Sequence, residues 1–214
     1  AYAGKEQGFK TIGIIRGDEL NDKILENPTL KFAENCGMQF EFVSREEYRL
    51  KGENHFLEKL KMKFGDFYLI PEGGTNELAI KGCEEILTEN DADFDFICCA
   101  VGTSGTISGI INSVLDHQKV LGFPSLKGDF LQDEIRNFVE TQNWELITDY
   151  HFGGYGKVSE ELIAFINQFY AETKIPLDPI YTGKMVFGVI NLISENYFPA
   201  NSKILLIHTG GIQG

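Results

Sequence analysis

The stretch FDFICCAVGTSGTISGIINSVLD (residues 94–116) decides how the rest of the chain is read. Its apolar run stops at Val101, a loop of glycines and hydroxyl residues follows, and apolar residues then recur at helical spacing, so the spacing predicts a strand, a tight turn and a helix. Gly102 and Gly105 allow the backbone to turn sharply and approach a ligand closely. Thr103, Ser104 and Thr106 add hydroxyls beside the amide donors of a helix N-terminus, which makes Val101–Thr106 an anion site suited to a phosphate.

Working outward, strand and helix patterns alternate. TIGIIRG (11–17) reads as a strand, NPTLKFAENCG (27–37) as a helix with Pro in its first turn and Gly at its stop, and MQFEFVS (38–44) as a second strand. Ser44 and Glu47 form a capping-box pair, HFLEKLKMKFG (55–65) has helical spacing, and FYLIP (67–71) reads as a strand leading into Glu72, Gly73, Gly74, Thr75 and Asn76. Beyond the opening stretch come a strand at KVLGFPSL (119–126), a helix at GDFLQDEIRNFVETQNW (128–144), ELITDY (145–150), the glycine-rich HFGGYGK (151–157), a helix from Ser159 to about Thr173, a turn at LDPIYTGK (177–184), a helix over 182–195 and a buried strand at KILLIH (203–208). This is the grammar of an α/β fold with open, mostly parallel sheets and helices on both faces. Residues 1–9 read as the tail of a helix and TGGIQG (209–214) leaves little chain to pack over it, so both ends are expected to be truncated. A shift near residue 66 from charged, helical sequence to glycine-rich, strand-rich sequence divides the chain into part of a smaller domain (1–66) and part of a larger one (67–214).

Bulk properties exclude several classes. The net charge of -13 and pI near 4.7 oppose nucleic acid and anionic membranes as partners, so an anionic ligand needs a local pocket of donors. No run of 18 apolar residues and no signal-peptide pattern occurs, and a cytoplasmic location is expected. Cys36, Cys83, Cys98 and Cys99 include no CxxC pair and are expected as reduced, buried thiols, while His55, His117, His151 and His208 lack metal spacing, so no metal is expected. GTSGTISG fits neither G-x-x-x-x-G-K-[ST] nor G-x-G-x-x-G, and no serine sits in G-x-S-x-G, which argues against a nucleoside triphosphate, a dinucleotide and a hydrolase elbow.

Three loops end strands or carry hydroxyls: GTSGT (102–106), PIYTGK (179–184) and HTGG (208–211). With AGKEQGFKTIGIIRG (3–17), LIPEGGTNELAIKG (69–82), AVGTSGTISGI (100–110), LDPIYTGK and ILLIHTGG (204–211), the chain resembles the tryptophan synthase β-like, fold type II pyridoxal-phosphate enzymes, in the branch of 1-aminocyclopropane-1-carboxylate deaminase and D-cysteine desulfhydrase. The segments occur in that family's order and spacing over nearly the whole chain.

The resemblance implies pyridoxal 5'-phosphate as cofactor, a small amino acid as substrate and a homodimer. It places the cofactor phosphate on Val101, Gly102, Thr103, Ser104, Gly105 and Thr106, and the hydroxyl of Thr209 near the pyridine nitrogen. Tyr155 and Tyr181 match tyrosines that face the substrate and move protons or contact its carboxylate, and Gly74 and Asn76 shape the cofactor wall. Ring-opening members resemble one another in having Glu and Leu where this chain has Thr182 and Thr209, which favours release of pyruvate, ammonia and sulfide from D-cysteine. The family's Schiff-base lysine lies in a G-N-K context ahead of the stretch matching Ala1–Phe9; Lys5, Lys10 and Lys184 lie at other family positions, and Lys184 is expected on the surface at a helix start. The chain as it stands is therefore expected to be inactive, its lysine lying upstream. The alternatives are a 1-aminocyclopropane-1-carboxylate deaminase and a non-catalytic fragment that binds phosphate or pyridoxal phosphate.

Overall fold

A computed structural model describes residues 1–210. The chain forms two compact units, Ala1–Leu69 and Ile70–Gly214. In the first, β1 (Ile12–Arg16) and β2 (Gln39–Val43) pair in parallel, Ile14 opposite Glu41, and are joined through a 3-10 segment (Asp18–Glu26) and α2 (Pro28–Asn35); the short α1 (Tyr2–Glu6) precedes them. Asn27 starts α2 by accepting hydrogen bonds from the amides of Thr29 and Leu30, with Pro28 at the first position, where its missing N–H costs nothing. Ser44 likewise caps α3 (Arg45–Arg49) through the amide of Glu47, and α4 (Asn54–Phe64) buries Phe56 and Leu60 against Val43.

The second unit is built on a four-stranded, all-parallel sheet in the order β5-β4-β3-β6, with β3 Phe96–Val101, β4 Lys119–Pro124, β5 Trp144–Leu146 and β6 Ile204–Ile207. Alternation along β3 sends its side chains to two faces. Ile97, Cys99 and Val101 pack with Ile107, Ile110 and Ile111 of α6 (Ser104–Ser113) and with Leu131 and Ile135 of α7 (Phe130–Arg136). Cys98 and Ala100 pack with Met185, Val186, Val189 and Leu192 of α9 (Thr182–Ser194), against which Phe165 and Phe169 of α8 (Glu160–Thr173) also rest. Helices thus cover both faces, as the continuous apolar strands require. Burial pushes the thiols of Cys98 and Cys99 upward, that of Cys99 to about 12, so both stay protonated; Cys36 and Cys83 are half-buried.

The remaining helix, α5 (Glu77–Cys83), lies so close to α6 that a Cβ added at Gly109 would stand 2.5 Å from the Ile80 carbonyl oxygen. The helix expected over 128–144 is shorter: α7 stops at Arg136, and Trp144 instead opens β5 because it pairs with Val120 of β4. A second expectation also fails. FYLIP joins no sheet among the described residues, and Phe67, Tyr68, Leu69 and Ile70 are exposed, because an apolar β-prone run becomes a strand only where a neighbour offers its edge. Among the described residues no helix is long and apolar enough to cross a membrane.

Candidate functional site

Every residue of the candidate site lies in the second unit, at the carboxyl end of its parallel sheet, where ligands of open α/β folds bind. Beyond Val101 the chain turns at Gly102, and Thr103 becomes the N-cap of α6 without a side-chain capping bond, which leaves the first-turn amides pointing outward as donors. Instead the Thr103 hydroxyl accepts from the Thr75 hydroxyl (3.0 Å) and donates toward the Gly73 carbonyl (3.4 Å). Gly73, at φ 79°, permits this approach, since a Cβ there would lie 2.5 Å from the Thr103 methyl. Asn76 caps α5 through the Ala79 amide, so the EGGTN loop and the GTSGT loop form one wall. Ser104 and Gly105 are buried, Thr103 is exposed and Thr106 is half-buried.

The turn before α9 supplies the second wall. Asp178 is buried, and its Oδ1 accepts from the amides of Ile180 (2.8 Å) and Tyr181 (2.7 Å), while Oδ2 accepts from the amide (2.9 Å) and hydroxyl (2.6 Å) of Thr182. The Thr182 hydroxyl in turn accepts from the Asp178 amide (3.0 Å) and is buried, so it is spent within the turn. Ser125, at the end of β4, fastens this turn to the sheet: its hydroxyl donates to the Ile180 carbonyl (2.7 Å) and its amide to that of Val101 (2.9 Å). Tyr181 consequently lies over the first glycine of the anion loop, where a Cβ on Gly102 would stand 2.9 Å from its ring.

Tyr155 completes the group. Its ring stands edge-on to that of Tyr181 with centroids 6.2 Å apart, and it is 61% exposed. Burial first, and then the hydrogen bond with Tyr155, push the Tyr181 phenol up to about 12. Tyr181 is therefore a proton donor at neutral pH and does not ionise there. Lys184 corrects the expectation of a surface residue: it is 1% exposed, and its ammonium donates to the carbonyls of His151 (2.9 Å) and Gly154 (3.0 Å). The sequence hides this because a lysine in the first turn of a helix ordinarily reaches solvent.

Thr209 is exposed, and among the described residues its side chain makes no hydrogen bond to the other candidates. The β3–β6 register, with Cys99 opposite Ile207, brings Thr209 level with Val101 when continued by two residues. His208 is held by the Pro176 carbonyl at Nε2 (2.8 Å), while the Gly210 amide donates to Nδ1 (3.2 Å), which assigns the ring proton to Nε2. Gly211 of HTGG lies outside the described residues. Ser125, Thr75 and Asp178 were missed by sequence reasoning; only Asp178, which opens a proline-containing turn four residues before a threonine, carried a local signal.

The family profile described as "Pyridoxal-phosphate dependent enzyme" matches residues 27–210. The chain is 30% identical over 238 residues to a Thermotoga maritima protein named "Putative 1-aminocyclopropane-1-carboxylate deaminase", covering 100% of this chain and 73% of the relative. It is 33% identical over 205 residues to the mitochondrial bifunctional D-cysteine desulfhydrase/1-aminocyclopropane-1-carboxylate deaminase of Arabidopsis thaliana, covering 83% of this chain and 51% of that protein. A solved structure of an ACC deaminase homologue superposes with a TM-score of 0.80 at 28% identity, covering 99% of this chain and 69% of that one. With the matched profile spanning most of its length and a shared fold type II architecture, the chain belongs to the pyridoxal-phosphate-dependent enzymes of the 1-aminocyclopropane-1-carboxylate deaminase and D-cysteine desulfhydrase family.

Proposed function

We propose that the protein acts as a D-cysteine desulfhydrase: the α-proton of D-cysteine is removed, the β-thiol departs, and hydrolysis of the remainder gives pyruvate and ammonia beside sulfide. The observation that carries this reading is the Tyr155–Tyr181 ring pair, of which Tyr181 lies against Gly102 beside the uncapped α6 N-terminus. The residues present fit the cofactor. An uncapped helix start offers amide donors to a phosphate, and an added Cβ would press on Tyr181 at Gly102 and on Thr75 at Gly105. Val101–Thr106 would hold the phosphate and Thr209 would face the ring nitrogen. Pyridoxal phosphate, when bound, supplies the electron sink that makes the substrate α-proton acidic.

The chain's own residues do the rest. Tyr181, kept protonated by its surroundings, donates a hydrogen bond to the departing sulfur, and Tyr155 beside it links that phenol to solvent through its exposed hydroxyl. Thr182 acts indirectly. By saturating Asp178 it fixes the backbone beneath Tyr181 and brings no second carboxylate to the substrate, which suits a leaving thiol. In this reading Lys184 does not serve as the cofactor's lysine, its ammonium being spent on two carbonyls.

A second reading, 1-aminocyclopropane-1-carboxylate deaminase, is favoured by the names of the relatives. Comparing kcat/KM of the holoenzyme for the two substrates decides between them. We expect D-cysteine to be preferred by at least about tenfold, or roughly 1.4 kcal/mol; preference for the cyclopropane acid would overturn the assignment.

A further inference from the structure

Lys184 carries a charge in a place where an apolar side chain would pack at lower cost. It sits in the first turn of α9, three residues beyond Tyr181, and faces the loop that carries Tyr155. That loop has little regular structure to hold it. Phe152, Gly153, Gly154 and Gly156 all have positive φ (54°, 93°, 119° and 68°), and Gly154 and Lys157 donate back to the carbonyls of His151 and Gly154. The Lys184 ammonium donates a second hydrogen bond to each of those same carbonyls, so one group closes both ends of the turn and binds it to the helix that Tyr181 caps. Tyr155 follows Gly154 directly. Burial lowers the pKa of Lys184 and nearby Asp178 partly restores it, so the ammonium is kept at a site that opposes charge.

We propose that Lys184 is a positioning residue: by fastening the 151–156 loop to α9 it fixes the distance between the Tyr155 and Tyr181 hydroxyls. Its consequence for turnover rests on the tyrosine roles given above. Its consequence for geometry does not, which keeps the two separable. The groups bearing on Tyr181 are Tyr155 and Asp178, and of these only Tyr155 sits on the loop that Lys184 holds.

The test compares the holoenzyme with Lys184→Met, which retains length and apolar bulk, by three measurements. Amide exchange of residues 151–157 should accelerate at least about tenfold while the β3 and β4 amides stay protected. The Tyr181 phenol, read as the difference between titrations of each protein and its Tyr181→Phe counterpart, should fall from about 12 toward the ordinary value of 10. Turnover should lose about tenfold or more in kcat with KM changed less than about threefold, and Tyr155→Phe should add nothing further in the Lys184→Met background. If Lys184→Met does not accumulate as folded protein, Lys184→Leu, which likewise removes every N–H donor, carries the same comparison. Unchanged exchange at 151–157 with an unchanged phenol titration would overturn the proposal. So would a uniform rise in exchange across the second unit with Tyr181 unmoved, the mark of a merely structural lysine. A shifted phenol and a loosened loop in the variant, with an unsubstituted holoenzyme that itself turns over neither substrate, would uphold the proposal and sink the functional reading instead.

Discussion

Replacing Asp178 by Asn removes one of two carboxylate oxygens that between them accept four hydrogen bonds. If the new amide group takes the Oδ1 position, it confronts the amides of Ile180 and Tyr181, donor against donor. If it takes the Oδ2 position, the Thr182 hydroxyl can reverse and accept, but the Thr182 amide is still orphaned. The smaller loss is thus one buried, charge-assisted hydrogen bond, about 1.5–3 kcal/mol, together with weakening of the remaining bonds to a neutral acceptor. The substitution also withdraws the negative charge that favours the Lys184 ammonium. We expect Asp178→Asn to destabilise the second unit by about 2–4 kcal/mol. The single tryptophan, Trp144 on β5, reports on that unit alone, so urea unfolding followed by its fluorescence should show a midpoint lowered by about 1–2 M with an unchanged slope. A loss below about 0.5 kcal/mol would refute the claim that this carboxylate organises the turn.

Gly109→Ala should cost about 1–3 kcal/mol, measured by thermal unfolding, because its Cβ would collide with Cys83 and with the Ile80 carbonyl where α5 meets α6. Gly105→Val should weaken pyridoxal-phosphate retention by about tenfold or more in equilibrium dialysis, since Gly105 is buried and already a single Cβ would reach within 3.0 Å of the Thr75 hydroxyl. A raised phenol such as Tyr181 contributes stability that is whole below the unfolded value of 10 and is lost as pH climbs toward about 12; Tyr155→Phe, by removing one cause of the shift, should lower the value found by ultraviolet titration. Glu145 is held below its ordinary value by Lys119 at 2.6 Å and by the Tyr197 hydroxyl, so its contribution is present above the unfolded carboxylate pKa of 4.5 and fades as pH falls through the lower folded value. At 44% exposure the pair is well solvated, and Glu145→Gln should change stability by less than about 1 kcal/mol in urea titrations.

The sequence made local features plain. The strand-turn-helix at 94–116 could be read because all its determinants are neighbours: an apolar run, two glycines and a helical apolar spacing. The cap at Ser44 obeys the same logic, closing a bond within three residues. What stayed hidden depends on partners distant in the chain. FYLIP has a strand's composition and takes no strand pairing, because composition cannot say whether an edge is offered. Ser125 clips a carbonyl 55 residues away, and Lys184 reaches carbonyls 30 and 33 residues upstream, so neither residue's job shows in its own neighbourhood. Thr182 is expected to bear on substrate choice, and its hydroxyl is bonded within the turn to Asp178, a partner its own spacing does not announce.

The order of strands in the second unit has a kinetic side. β3, β4 and β5 follow one another along the chain and can pair through short crossovers, whereas β6 reaches β3 only after α8 and α9 intervene, placing Ile97 opposite Leu205. Closing so long a loop carries a larger entropic penalty and belongs late in folding. Until then the far edge of β3, with its run of isoleucine and cysteines, stands open to wrong partners. On this order the GTSGT loop, which follows β3, is expected to form with the early part of the sheet and Thr209 with the late part.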